Sequence, residues 1–296
     1  MNSSNSISGI SVRGASRTQD ATPVTLAAMI KIGCNHLSFK PNLPTLDQFI
    51  ENCNELDLDC VDFNERAFES SCTSYLLSIK RKCLDLGLPI GYIGIGGGFA
   101  GDEAFQQMKI EEAKRVIDLA SILGAPIVRV FGWQTNEIEN REPMFDALAQ
   151  CLRQVADYGA ENAVVVGLQN HDNRNLAATG PDVIRIIQQT DHPNLSFILD
   201  TGQWRGSPGA AGDPDPDVDI YAYIRDTLPY ASYVRCKFYQ IASGTEMVLD
   251  YGRIVEILRA GNYNGCISIV YEGEESEERS LLIGKAAGHL RDLLSD

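Results

Sequence analysis

Five side chains in this sequence combine proton-transfer and charge-stabilising chemistry at a regular spacing: Gln169, Asp200, Arg235, Lys237 and Glu272. They sit at or near the ends of short apolar runs that recur roughly every three dozen residues, the length of one βα unit. A carboxylate such as Asp200, or the nearby His171, can take or return a proton. A guanidinium and an ammonium beside it can hold the negative charge that develops on an oxygen. Arg129, Asn170 and Gln203 add hydrogen-bonding groups. Trp133 and Trp204 lie just past two of the runs, where aromatic rings either stack on a sugar or pack a loop. His36 ends the first run and Glu65 follows the second, each a pocket candidate with an equally ordinary surface or packing alternative. Asp200 with Arg235 also has an ordinary reading, as a structural ion pair.

From Met29 onward, apolar runs alternate with segments of helical period eight times. The strand candidates are Lys31–Cys34, Cys60–Phe63, Pro89–Ile95, Ile127–Phe131, Val164–Gln169, Ser196–Asp200, Tyr233–Lys237 and Cys266–Glu272. The helical segments between them include Leu46–Leu56, Tyr75–Leu86, Glu103–Leu123 and Met144–Gly159. Apolar strands alternating with helices imply a parallel sheet covered by helices, and eight units favour closure into a (β/α)₈ barrel. Gly87, Gly124, Gly159 and Gly261 are expected as left-handed helix caps. Thr45 is expected to cap the first helix at its start. In such barrels chemistry belongs to the C-terminal strand ends. Alternation along the strands then turns Gln169, Asp200, Arg235, Lys237 and Glu272 inward at one mouth.

The 296 residues are 44% hydrophobic and 22% charged, the balance of a folded globular chain. A net charge of −15 speaks against nucleic acid and against anionic membrane surfaces as partners. A small-molecule substrate is the expected partner, with homo-oligomerisation left open. The eight cysteines form no C-x-x-C pair and read as reduced, mostly buried fillers in a cytoplasmic protein. Residues 1–29 are polar and Ser-rich, expected as a disordered tail with organelle targeting as the minor alternative. Residues 30–296 are expected as one barrel domain. The run Gly96-Gly97-Gly98-Phe99-Ala100-Gly101 fits G-x-G-x-x-G. It falls in the third unit, without the acidic ribose ligand, and reads as a loop bordering the pocket rather than a dinucleotide site.

The strand ends resemble those of the xylose-isomerase-like superfamily of sugar isomerases, epimerases and endonuclease-IV-like barrels. The resemblance is carried by Val128-Arg129-Val130-Phe131-Gly132, Gln169-Asn170-His171 and Leu199-Asp200-Thr201-Gly202-Gln203. It continues in Arg235-Cys236-Lys237, Asp250-Tyr251, Gly261-Asn262-Tyr263-Asn264-Gly265 and Ile269-Val270-Tyr271-Glu272. In that family two Glu, an Asp and a His hold one divalent cation, and the two Glu move protons. The matching positions here are Gln169, Asp200, Arg235 and Val270. The resemblance therefore implies a barrel whose metal set is reduced to Asp200, with a permanent cation in place of one ligand. No cofactor is expected. The alternative is one divalent ion such as Mn or Mg at Asp200, with Glu272 and His171.

Two functions from different classes follow. One is an isomerase, epimerase or lyase acting by proton transfer on a small sugar, sugar phosphate or keto compound without the usual metal. Asp200, His171, Arg235 and Lys237 would be catalytic there, with Gln169, Asn170, Gln203, Glu272, Arg129, Trp133, Trp204 and His36 binding substrate. The other is a non-catalytic barrel that binds a metabolite or serves as a partner subunit. An abasic-site endonuclease, sharing the barrel, needs a multi-metal cluster and a basic groove that four histidines and this charge do not supply.

Overall fold

The computed structural model describes residues 30–134, 141–172, 174–209 and 214–295. The expected tail, residues 1–29, lies outside them. Eight parallel strands close in sequence order into a barrel. They are β1 (Lys31–Asn35), β2 (Cys60–Asn64), β3 (Ile90–Gly94), β4 (Ile127–Phe131), β5 (Val165–Gln169), β6 (Leu195–Asp200), β7 (Ala231–Phe238) and β8 (Cys266–Tyr271). The helices are α1 (Leu46–Glu55), α2 (Thr73–Asp85), α3 (Glu103–Leu123), α4 (Glu142–Glu161), α5 (Gly180–Thr190), α6 (Ile220–Thr227), α7 (Tyr251–Ala260) and α8 (Arg279–Ser295). No helix among the described residues is long and apolar enough to cross a membrane.

The outward side chains of the strands and the inner faces of the helices form one apolar layer. Phe145, Leu148, Leu152 and Val155 of α4, for example, are essentially fully buried. Removing one such leucine side chain costs about 2–5 kcal/mol. Inside the barrel, Tyr92, Ile127, Ile198 and Tyr233 form a separate small cluster. That plug supports the polar layer at the mouth.

Local signals explain most helix boundaries. Thr45 accepts from the Gln48 backbone while the Gln48 side chain accepts from Thr45, a complete capping box at the start of α1. Gly87 and Gly124 take left-handed φ values of 69° and 79° just beyond their helices. Two expected caps differ. Gly159 lies inside α4, where a Cβ would come within 2.6 Å of the Val164 carbonyl oxygen; close approach, not a left-handed turn, requires glycine there. Gly261 has φ −82°, and the left-handed residue after α7 is Asn262 at 53°. Inward alternation brings the side chains of Cys60 of β2 and Cys266 of β8 together near the Tyr233 hydroxyl; the other six cysteines are free.

Candidate active site at the barrel mouth

Strand register delivers the central group. Asp200 ends β6 opposite Arg235 of β7, and Gln169 ends β5 one strand away. Asp200, Arg235, Lys237 and Gln169 all point inward and are at most 4% exposed. Arg235 Nε donates to Asp200 Oδ2 at 3.0 Å, and Gln169 Nε2 donates to the same oxygen at 3.1 Å. The Gly202 backbone N–H donates to Oδ1 at 3.2 Å. Lys237 Nζ stands 4.0 Å from Oδ2 and 2.5 Å from Glu272 Oε1. Glu272 lies one residue past β8, and 44% of its side chain is exposed, so it is the acid that solvent reaches first. Gly202 has to be glycine, because a Cβ would lie 2.8 Å from Lys237 Cβ.

Burial dominates the protonation of this group. It raises the Asp200 carboxyl to about 6, with the charge of Lys237 opposing it. Glu272 is pushed up by burial, but Lys237, through charge and hydrogen bond, pulls it below the ordinary carboxylate value. Burial lowers Arg129 to about 10, which leaves it cationic at neutral pH.

The remaining expected residues divide between the mouth and its supports. His171 reaches the rim, edge-on to Phe131 at 5.2 Å, with Nδ1 3.3 Å from Asp172. A positive charge on its ring would bear on both Asp200 and Glu272. Gln203 belongs to the same rim. With its amide oriented to satisfy both neighbours, it accepts from Lys237 Nζ at 3.2 Å and donates to Asp172 Oδ1 at 2.6 Å. Arg129 faces inward, donating Nη1 to the Ile95 carbonyl at 2.7 Å and lying 4.1 Å over the Phe131 ring, while its Nε has no partner among the described residues. Gly94 makes room for that guanidinium, which a Cβ would strike. Glu65 is close to it, taking the Gly96 N–H at 3.4 Å.

Four expected binding residues do other work. Asn170 spends its amide on backbone: Nδ2 donates to Asp200 O (2.9 Å) and Gln203 O (3.0 Å), and Oδ1 accepts from Asp200 N (2.8 Å). It clamps the strand ends and presents nothing to a ligand. Trp204 is fully buried in the outer layer against Phe197 and Tyr223, because its loop folds back over the helices. Trp133 packs into the same apolar layer. His36 hydrogen-bonds the Pro44 carbonyl at 2.9 Å and meets Phe49 of α1 edge-on, a packed loop histidine. The glycine-rich loop after β3 is tied down by Lys109 Nζ, which donates to Gly96 O at 2.8 Å.

Sequence reasoning did not single out the layer beneath. Asp62 of β2 is fully buried and accepts from the Tyr233 hydroxyl at 2.7 Å and the Tyr92 N–H at 3.3 Å. The Tyr92 hydroxyl accepts from Asn35 Nδ2 at 2.8 Å and from Arg235 Nη1. Applying strand alternation to β1 and β2 would have turned Asn35 and Asp62 inward.

A divalent ion does not suit these donors. Asp200 is in contact with a guanidinium, Glu272 with an ammonium, and Gln169 brings a neutral amide. Hard divalent ions need several anionic oxygens free to converge. Among the described residues, no group of three or more His, Cys, Asp or Glu side chains is arranged to hold a metal.

Known proteins place the barrel. A 3-dehydroshikimate dehydratase of Pseudomonas putida is 25% identical over 170 residues, which is 53% of this chain and 26% of that protein. The chain therefore spans about a quarter of that relative's length. An L-ribulose 3-epimerase structure superposes with TM-score 0.74 at 19% identity, over 90% of this chain and 95% of its own. The D-psicose 3-epimerase of Clostridium cellulolyticum H10 with D-tagatose gives 0.74 at 15%, over 90% and 99%. The probable 3-DHS dehydratase AsbF of Bacillus anthracis gives 0.67 at 18%, over 89% and 99%. At these identities the structures share the fold. The sequence model of the xylose isomerase-like TIM barrel matches residues 50–293, and the chain belongs to that family.

Proposed function

We propose that the barrel mouth moves a proton on a small polyhydroxylated or keto compound, as an isomerase, epimerase or lyase, with Arg235 and Lys237 supplying the positive charge a divalent ion would otherwise bring. The observation that carries this reading is Asp200, a buried strand-end carboxyl raised to about 6 and in contact with a fixed guanidinium. A carboxylate with a pKa near neutrality is both ionised and basic enough to take a proton from carbon next to a carbonyl. Lys237, 4.0 Å away, is placed to bind the carbonyl oxygen as it becomes an enolate. Lys237 is covered by Glu272, so a substrate enters by displacing that carboxylate from the ammonium. His171, at the rim, is the second proton-transfer group. Epimerisation beside a carbonyl and loss of water beside one share this first step. The 3-epimerase and dehydratase names of similar proteins support the reading.

A second reading has its own observation. Both Asp200 oxygens already hold hydrogen bonds within the protein, and the carboxyl is completely buried. That suits a barrel that binds without turnover. Incubation with ketoses, aldoses, their phosphates and hydroxylated keto acids in D₂O, followed by NMR, separates the two. Deuterium incorporation or a new product with the native protein, lost in Asp200→Asn, supports the enzyme. Thermal stabilisation by a compound that is neither exchanged nor converted supports the binding barrel.

A further inference from the structure

Arg235 is held from two sides, and only one of them belongs to the mouth. Above, Nε donates to Asp200 at 3.0 Å. Below, Nη1 donates to the Tyr92 hydroxyl, which also takes the Asn35 Nδ2 hydrogen at 2.8 Å. A tyrosine oxygen accepting two donors fixes the point where the guanidinium ends. The Tyr92 ring is in turn set edge-on against Tyr233, with centroids 5.2 Å apart and planes at 81°. Both tyrosines are anchored by a single group, Asp62 Oδ1, which accepts from the Tyr233 hydroxyl and the Tyr92 backbone.

We infer that Asp62 is a positioning residue for the Asp200–Arg235 pair: through Tyr92 and Tyr233 it fixes the guanidinium that orients the carboxylate at the mouth. Asp62 touches no part of the mouth itself. It lies wholly inside the barrel, with Arg129 and Arg235 as the cations whose charge reaches it and Ser268 of β8 beside it. A carboxylate buried this deeply is costly to maintain unless it holds something in place. A hydrophobic residue would fill the space at lower cost, but it could not take two hydrogen bonds from two strands. The guanidinium of Arg235 lies 5.7 Å from the Tyr92 ring centroid, so displacement of that ring moves its lower anchor directly.

The inference rests on the proposed site but is tested without turnover. Full-length protein labelled with ¹⁵N-arginine gives an Nε–H signal for Arg235, assigned by its loss in Arg235→Lys. Solvent exchange of that hydrogen reports how firmly the guanidinium is held. Tyr92→Phe removes the lower acceptor and is expected to speed exchange about tenfold, the effect of one lost charge-assisted hydrogen bond. Asp62→Leu, which leaves no acceptor for either tyrosine, is expected to do the same, and Tyr233→Phe, which cuts the 2.7 Å bond but keeps the carboxylate, stands in where Asp62→Leu does not fold. The Arg129 Nε–H is the control and is expected to change by less than about twofold, since its anchor at the Ile95 carbonyl is untouched. Unchanged Arg235 exchange in a folded variant overturns the inference. So does equal acceleration of both arginines, which would mean a loosened barrel. A protein without activity but with Arg235 released by Asp62→Leu or Tyr233→Phe would refute the reaction and leave the positioning role standing.

Discussion

Replacing Arg235 with methionine tests the charge logic of the mouth directly, because it strips the cation from a carboxylate that has no exposure. The wild-type Asp200 carboxyl titrates near 6 in the fold, against roughly 4 in an unfolded chain. A raised carboxyl favours the folded state most at low pH. That contribution is lost as pH climbs from about 4 through 6, and above 6 the loss levels off because the folded carboxyl ionises too. In Arg235→Met the nearest remaining cation is Lys237, 4.0 Å away and committed to Glu272 at 2.5 Å. The carboxyl then stays protonated at pH 7, and the loss continues for one further pH unit, about 1 to 2 kcal/mol. Losing the hydrogen bonds to Asp200 and Tyr92 adds a pH-independent part of about 1–3 kcal/mol. The sum, about 3 kcal/mol, falls at the low end of what breaking a buried ion pair costs.

Urea unfolding at pH 5 and pH 7, extrapolated linearly, reads both parts. The variant is expected to be less stable at both values, with the gap to wild type widening by roughly 1 kcal/mol at pH 7. The double variant Asp200→Asn, Arg235→Met removes the carboxyl, and its gap to wild type is expected to narrow by roughly 1 kcal/mol from pH 5 to pH 7, because wild type alone then carries the Asp200 loss. A single variant as stable as wild type at pH 7, or a gap identical at the two values, would refute the account of Arg235 as a cation that, beside Lys237, keeps Asp200 ionised.

Three further outcomes are expected. With any substrate that turns over, kcat/KM falls on the acid side with an apparent pKa near 6, because Asp200 must be ionised to act; a flat profile between pH 5 and 8 excludes it as the base. Protein purified without chelator contains far less than one equivalent of Mn, Mg, Zn or Co by elemental analysis, and near-stoichiometric metal would overturn the cation assignment. A neutral ketose stabilises the protein in thermal shift at concentrations where its phosphate does not, and a preference for the phosphate would mean that the charge balance of the mouth has been misjudged.

What the sequence revealed depended on how local the physical signal was. Eight runs of strand period, separated by helical segments, are local patterns, and the barrel follows from counting them. Alternation on β5 to β7 placed Gln169, Asp200, Arg235 and Lys237 correctly because those strands are regular to their ends. Asp62 was harder. It stands in Cys-Val-Asp-Phe, a run that reads as buried strand, and its hydroxyl partner Tyr233 is 171 residues away. Nothing near Asp62 in the sequence says that a tyrosine and an arginine will share its interior. Tyr92 was hidden differently, because the β2–β3 register shifts between Val61 and Phe63 and simple alternation loses its phase there. Trp204 misled for a third reason: a position just past a strand says that a loop begins, not whether it folds over the mouth or back over the helices.

On the proposed reading, an organic cation and a metal at the mouth are alternatives rather than partners. Around the mouth lie the carboxyl groups of Glu65, Asp172, Asp200 and Glu272, with Asp62 in the layer beneath, against the cations Arg129, Arg235 and Lys237. Burial holds Asp62 near 7, so at neutral pH it carries only about half a charge. The remaining imbalance is small, and each buried cation already touches or faces an acid. On that reading such a mouth would fold without help from solution, whereas a cluster of unneutralised carboxylates needs an ion before it can be buried. The same balance limits what it can bind. A second permanent cation would have to displace Arg235, and a phosphate would have to draw Lys237 from Glu272 while approaching Asp200. A neutral ligand that exchanges hydroxyls and a carbonyl for the existing hydrogen bonds meets neither penalty.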